Sequence, residues 1–271
     1  MNKFEKTIAE TKTPATISSL VEQLRALGVK QGMTLAVHSS FSSIGYVVGD
    51  AHSVILSLKN AIGSDGTLAM PSHSFQLSEP YQWKRPAVPK EWHQTIIDNM
   101  PGYNRDIAVW RSMGKIPLSF HAYRDTVRSG HPNTSWLAAG ARADFVTDDH
   151  AYDFGQGDNS PLARLYDLDA YVVLIGVPFK NNTCFHLAET RADFAGKTIQ
   201  DNRAPLEKNG RTEWITYRDV KWCDEDFDAI GHAAEEAGLV TKGRFGQAET
   251  RFFSQRAMVD FAVEWLEKNR T

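Results

Sequence analysis

Cysteine is scarce in this sequence: two residues among 271, Cys184 and Cys223. They stand far apart and form no C-x-x-C, which excludes a disulfide framework and disfavours a structural zinc site; no metal is expected. No run of Lys or Arg and no basic stripe occurs, the net charge is −3 and the pI lies near 6.3, so no nucleic-acid partner is expected. No stretch approaches the ~18 apolar residues that a membrane-spanning helix requires. The opening segment MNKFEKTIAETKTP lacks the apolar core of a signal peptide. A cytoplasmic location without a membrane partner is therefore expected. The glycine signatures G-x-G-x-x-G and G-x-x-x-x-G-K-[ST] are missing as well, which leaves dinucleotide and P-loop binding unsupported. Internal repeats, low-complexity tracts and clear linkers are all lacking.

What is present belongs to an ordinary globular protein: 42% hydrophobic, 23% charged and 11% aromatic residues, enough to bury a substantial core. Thr13-Pro14 reads as a helix start, followed by Ile17, Leu20, Val21, Leu24 and Leu27 at helical spacing, with Gly28 as the stop. A short strand over Thr34 to Val37 runs into a polar loop, His38 to Gly45. Asp50 then caps a helix carrying Val54, Ile55, Leu58 and Ile62, and a turn leads to a strand over Thr67 to Met70. Strand, polar loop, helix, turn and strand make a βαβ unit on a mostly parallel sheet. Ligands of such sheets bind outside the carboxyl ends of the strands, and the serine-rich loop leaves one of them. Residues 72–117, rich in proline and tryptophan, read as a lid or binding loop. Helices are expected from about Leu118, after Ser135, after Ser160-Pro161, over Asp224 to Ala237 and over Ser254 to Glu267. Strands are expected over Glu213 to Arg218 and, as a buried central strand, over Tyr171 to Gly176.

Several residue groups can carry chemistry. His186 and Glu189 share one face of a helix that follows the buried strand. A carboxylate beside an imidazole fixes its tautomer and raises its basicity, as a general base requires; a surface His–Glu pair is the plainer alternative. The loop bearing His38, Ser39, Ser40, Ser42 and Gly45 supplies hydroxyls, amides and a helix N-terminus that can hold phosphate or a pantetheine amide, or it is a polar turn with capping serines. Ser135 reads foremost as a helix N-cap, with Asn133 and Ser135 also able to offer side chains to a ligand. Asp148, Asp149 and Asp153 read as solvated surface. Asp158, in a glycine-rich loop, can reach a ligand. Cys184 next to His186 permits a Cys–His nucleophile, but a buried packing role suits a free cysteine better.

Six segments, in order, resemble the aminoglycoside 3-N-acetyltransferase (antibiotic N-acetyltransferase) family: LGVKQGMTLAVHSSFSSIG, GDAHSVILSLKNAIGSDGTLAMPSHS, RSMGKIP, RSGHPNTSWLAAG, FGQGDNSPLARLYDLDAYVVLIGV and TCFHLAETRA. They lie between Leu27 and Ala192, and the resemblance covers roughly residues 15 to 267. The resemblance implies a single α/β domain over residues 1–271, with 1–12 as a loosely ordered tail. It implies a mixed, mostly parallel sheet flanked by helices, distinct from the GNAT acetyltransferases. The GNAT loop [RQ]-x-x-G-x-[GA] indeed fails here at Lys30 and at Ile116. It implies acetyl-CoA as co-substrate and an amine acceptor, in aminoglycosides the 3-amino group. Carried over, His186 is the base and Glu189 its partner, which also meets the substrate. His38, Ser39, Ser40, Ser42 and Gly45 hold CoA with Met113, Asn133 and Ser135. Asp158, where the family often has Glu, contacts the acceptor. Direct transfer is expected, with Ser39 or Thr183 near the oxyanion. The expected partner is a small cationic amine; a homodimer is possible.

Overall fold

The computed structural model describes residues 2–84, 86–107, 110 and 113–270. Arg111 and Ser112 of the RSMGKIP segment lie outside the described residues. The stretch expected to be a loose tail carries helix α1, Lys3–Glu10, closed at its start by a reciprocal capping box between Asn2 and Glu5. Thr11 ties it down: its Oγ1 accepts the Tyr46 amide at 2.9 Å. Helix α2 is Ile17–Leu27, with Thr16 and Ser19 as its capping box. It starts later than Thr13-Pro14 suggests because Ala15 pairs with Val47 in a parallel bridge, which keeps the preceding residues extended. Strand β1 is Thr34–Ser39, helix α3 Asp50–Ile62 and strand β2 Thr67–Pro71. Gly49, not Asp50, is the cap residue of α3; Asp50 turns its carboxylate to the Ala51 amide and to Lys115.

The proline-rich stretch that follows is largely irregular. It holds two single 3-10 turns and helix α4, His93–Asn99. Helix α5, Lys115–His121, and strand β3, Val127–Arg128, come next. The segment after Ser135 is not a helix. It is strand β4, Trp136–Gly140, antiparallel to β2. Leu and two Ala favour a helix by propensity, yet Trp136, Leu137, Ala138 and Ala139 are buried on both faces of a sheet, and tertiary pairing decides. Helix α6 is Ala143–Thr147, and α7 is Pro161–Asp167, capped by Ser160 Oγ accepting the Leu162 amide. Strand β5, Tyr171–Ile175, precedes helix α8, Cys184–Arg191. A long hairpin of β6, Ile199–Lys208, and β7, Arg211–Val220, forms a separate two-stranded sheet. Helix α9, Phe227–Glu236, strands β8, Thr241–Phe245, and β9, Ala248–Ser254, and helix α10, Gln255–Asn269, complete the described chain.

The main sheet has the order β3-β4-β2-β1-β5-β9-β8. Its centre, β2-β1-β5, is parallel, and β4 and β9 run against the other strands, so the sheet is mixed with most strands in one direction. Side chains alternate across it with the period of two that a pleat imposes. Leu35, Val37, Leu68, Met70, Val173 and Ile175 face one core with α2, α3 and α5. Ala36, Ala69, Trp136, Ala138, Val172 and Leu174 face a second with α6 to α10. The alternation puts His38 on the second face, edge-on to Trp136. Among the described residues, no helix is long and apolar enough to cross a membrane.

Candidate active site

Beyond β5 the chain turns sharply at Gly176. Its φ is +61°, and a Cβ there would lie 1.8 Å from Ser43 Oγ. Glycine is needed on both counts, and it lets the serine loop after β1 pack against the end of β5. A short 3-10 turn over Phe179–Asn181 leads into α8. Helical spacing brings His186 and Glu189 together, with Nδ1 and Oε2 2.5 Å apart. Glu189 is fully buried. Its Oε1 accepts the Cys223 amide at 3.0 Å and Arg270 Nη1 at 2.5 Å. Because the carboxylate accepts from Nδ1, the neutral ring keeps its free lone pair on Nε2. The imidazole is held between Trp222 and Phe227, with centroids 5.1 and 4.9 Å away. A partly exposed imidazole with a fixed tautomer is equipped to take a proton.

Of the residues named from the sequence for CoA, Ser39, Ser40, Ser42, Gly45 and Met113 come together. They line a cavity of about 680 Å³ with Phe4, Thr7, Tyr46 and Lys115 among its other walls. Ser43 Oγ donates to Ser40 O at 2.7 Å and stiffens the loop. The cavity opens at the carboxyl end of β1, beside the strand whose continuation carries α8, which is where parallel sheets gather ligands.

A second cavity, about 670 Å³, lies under the long loop and the hairpin, with Phe75, Trp83, Asn133, Tyr217, Asp219 and Trp222 in its walls. Trp222 joins it to the dyad, since the same ring meets Phe75 at 6.2 Å and His186 at 5.1 Å. Asp219 is buried, its Oδ1 accepting the Val220 amide at 2.8 Å. Its Oδ2 makes no well-formed hydrogen bond to the described residues. Burial pushes the carboxyl up to about 7, against the pull of the Val220 and Gly155 amides and the Trp222 indole. Sequence reasoning missed Asp219; its signal is an acid at a strand end beside an aromatic. It also missed His73, a buried imidazole whose Nε2 has no partner among the described residues. Burial, then the nearby charge of His186, holds His73 well below the usual histidine range.

The remaining sequence candidates are placed differently. His38 is buried and does not line the first cavity; burial lowers it to about 3. Asn133 belongs to the second cavity. Its amide donates to Ser74 O and Leu77 O and accepts from Tyr217 Oη at 2.6 Å, so it braces that wall, away from the serine loop. Ser135 is buried in a network with Ser72 and the Arg128 guanidinium and lines neither cavity. Glu189 has both oxygens engaged by protein groups, which leaves none for an acceptor. Asp158 is exposed and paired with Arg191 at 2.8 Å. Cys184 is fully buried, which drives its thiol pKa far upward and suits packing. Among the described residues no cluster of three or more His, Cys, Asp or Glu could hold a metal ion.

Known proteins resemble this chain over nearly its whole length. The prophage-derived aminoglycoside N(3')-acetyltransferase-like protein YokD of Bacillus subtilis is 40% identical over 98% of this chain and 97% of its own length. Its crystal structure matches with a TM-score of 0.94, covering 98% of both chains. A binary complex of AAC-IIIb with CoASH matches at 28% identity and a TM-score of 0.85, over 94% of this chain and 97% of that one. The structure of AAC-VIa bound to sisomicin does so at 27% identity and 0.85, over 94% and 98%. A family model described as aminoglycoside 3-N-acetyltransferase matches residues 36–267, and the chain belongs to that family of acyltransferases.

Proposed function

We propose that this chain transfers the acetyl group of acetyl-CoA directly to an amine of an aminoglycoside, at the 3-amino position, with His186 as general base. The observation that carries the reading is the contact of His186 Nδ1 with the buried Glu189 carboxylate, in a ring set against Trp222, which also walls the second cavity. The donor is assigned to the cavity of the serine loop and the acceptor to the cavity of Asp219. The acceptor nitrogen attacks the thioester carbonyl carbon, His186 Nε2 accepts the nitrogen's proton, and the carbon–sulfur bond breaks to release CoA as its thiol or thiolate. Glu189 offsets the charge gained by the imidazolium. Asp219, in the wall of that cavity, is suited to an ammonium group of the acceptor. A hydroxyl such as Ser39 or Thr183 can serve the oxyanion. The test is thiol release from acetyl-CoA across a panel of aminoglycosides, with NMR of the product to locate the acetylated nitrogen. Acetylation elsewhere, or none, would reject the reading.

One observation favours a second acceptor class. The second cavity presents a single carboxylate together with Lys84 and Lys221, and the acids Glu79, Asp153 and Asp158 are each taken up by an arginine. A small amine of lower positive charge fits that lining better than a polycation. Adding neutral and anionic primary amines to the panel separates the two classes. Binding without thiol release would instead identify a non-catalytic binder.

A further inference from the structure

A fully buried carboxylate at the heart of the dyad needs a counter-charge, and it comes from a distant part of the chain. Arg270 follows α10, 81 residues from Glu189 in sequence. Its Nη1 donates to Glu189 Oε1 at 2.5 Å. Its Nε and Nη2 donate to both oxygens of Asp226, at 2.8 and 2.6 Å, and Nη2 also reaches Cys223 O at 2.9 Å. The guanidinium lies over the Phe194 ring, 4.8 Å from its centroid. Every arm is engaged, and the side chain is only 13% exposed. Burial works against its charge, but the bonds to Asp226 and Glu189 outweigh that and raise its pKa above the ordinary arginine value.

We infer that Arg270 is a positioning residue for acetyl transfer: its fork holds the Glu189 carboxylate in place as acceptor of the Nδ1 proton, and so fixes the His186 tautomer that leaves Nε2 free to accept the amine proton. The inference rests on His186 as base. Glu189 and Asp226 share the guanidinium as their cation. Without it, two carboxylates remain close together in a partly desolvated site with no cation between them, and a compensating proton is favoured there. That proton lies between Glu189 Oε2 and His186 Nδ1. The ring then keeps its own proton on Nε2. The imidazole then presents a donor where the reaction needs an acceptor. Asp226 in this scheme holds the guanidinium in place, and Trp222 and Phe227 hold the ring.

The experiment compares Arg270→Met, Arg270→Gln and Arg270→Lys with the parent chain, by steady-state kinetics with acetyl-CoA and by nitrogen-15 spectra of the His186 ring, assigned with His186→Ala. Loss of the guanidinium should lower kcat by about 10-fold or more, leave both KM values within about threefold, and remove the pyridine-type nitrogen signal at Nε2. Lys, which keeps a charge but not the fork, should retain the parent tautomer and recover part of kcat. Gln carries the test if Met does not fold. A parent kcat in the folded Met or Gln variant would overturn the inference. So would a lost kcat with an unchanged tautomer, or failure of both neutral variants to fold, which would give Arg270 a purely structural role. The spectra read the tautomer whether or not His186 is the base, so failure of that assignment shows separately, as full activity in His186→Ala.

Discussion

Asp219 places a titratable carboxyl inside a cavity wall, and the consequence for stability can be worked out. Its pKa rises from 3.8 in the unfolded chain to about 7 in the fold. The folded protein therefore holds this proton more tightly than the unfolded chain does. Below pH 3.8 both states are protonated and the residue costs nothing by this route. As pH climbs from 3.8 to 7 the unfolded chain loses its proton first and stability falls; above 7 the loss is complete. At about 1.4 kcal/mol per pH unit, the interval from pH 5 to pH 8 carries a loss of roughly 2–3 kcal/mol. Asp219→Asn removes the titration while keeping the shape. Its stability relative to the parent should improve by about that amount between pH 5 and pH 8, whatever constant offset the amide introduces. Urea unfolding of both proteins at four pH values measures it. A difference that stays flat across the range would refute the reasoning. The same substitution should raise the acceptor KM by about 10-fold or more through loss of a charge-assisted contact, with acetyl-CoA KM unchanged. A cost in stability at working pH, traded for recognition, is typical of a functional carboxylate.

Trp136→Ala should destabilise the fold by about 3–5 kcal/mol in urea titration, because the indole is fully buried in the second core between His38 and His73. Gly176→Ala should raise acetyl-CoA KM more than acceptor KM in initial-rate assays, since the new Cβ collides with Ser43 of the donor loop. Removing residues 1–10 should likewise weaken acetyl-CoA by several-fold in KM and leave the acceptor untouched, because Phe4 and Thr7 wall the cavity proposed for the donor.

The parts of the fold that were legible are those where one physical signal dominates. Tyr171 to Ile175 is a short, unbroken apolar run rich in β-branched residues, which suits a strand covered on both faces. Val54, Ile55, Leu58 and Ile62 mark a helix by period alone. Trp136–Gly140 failed because its alanines and leucine prefer a helix in isolation, while pairing to β2 is a long-range fact. The β6 strand went unread because its outer residues, Ile199, Gln200 and Asp201, are exposed and mostly polar, so no alternation advertises it. In the site, His186 and Glu189 were within reach because both stand on one helix. Asp219, His73 and Arg270 were not, since each becomes meaningful only when the hairpin, the loop after β2 and the end of α10 are folded against α8. Asn133 and Ser135 look like a cap and ligand groups in a polar segment; the burial of Ser135 with Ser72 and Arg128 and the place of Asn133 in the second cavity's wall depend on β4 being a strand.

The central claim is that His186 takes the acceptor's proton. Its most direct test is kcat for His186→Gln, measured by thiol release with an amine that the parent chain acetylates. The account predicts a fall of about 10²–10⁴-fold with KM for both substrates largely retained. A variant that turns over at the parent rate would contradict it.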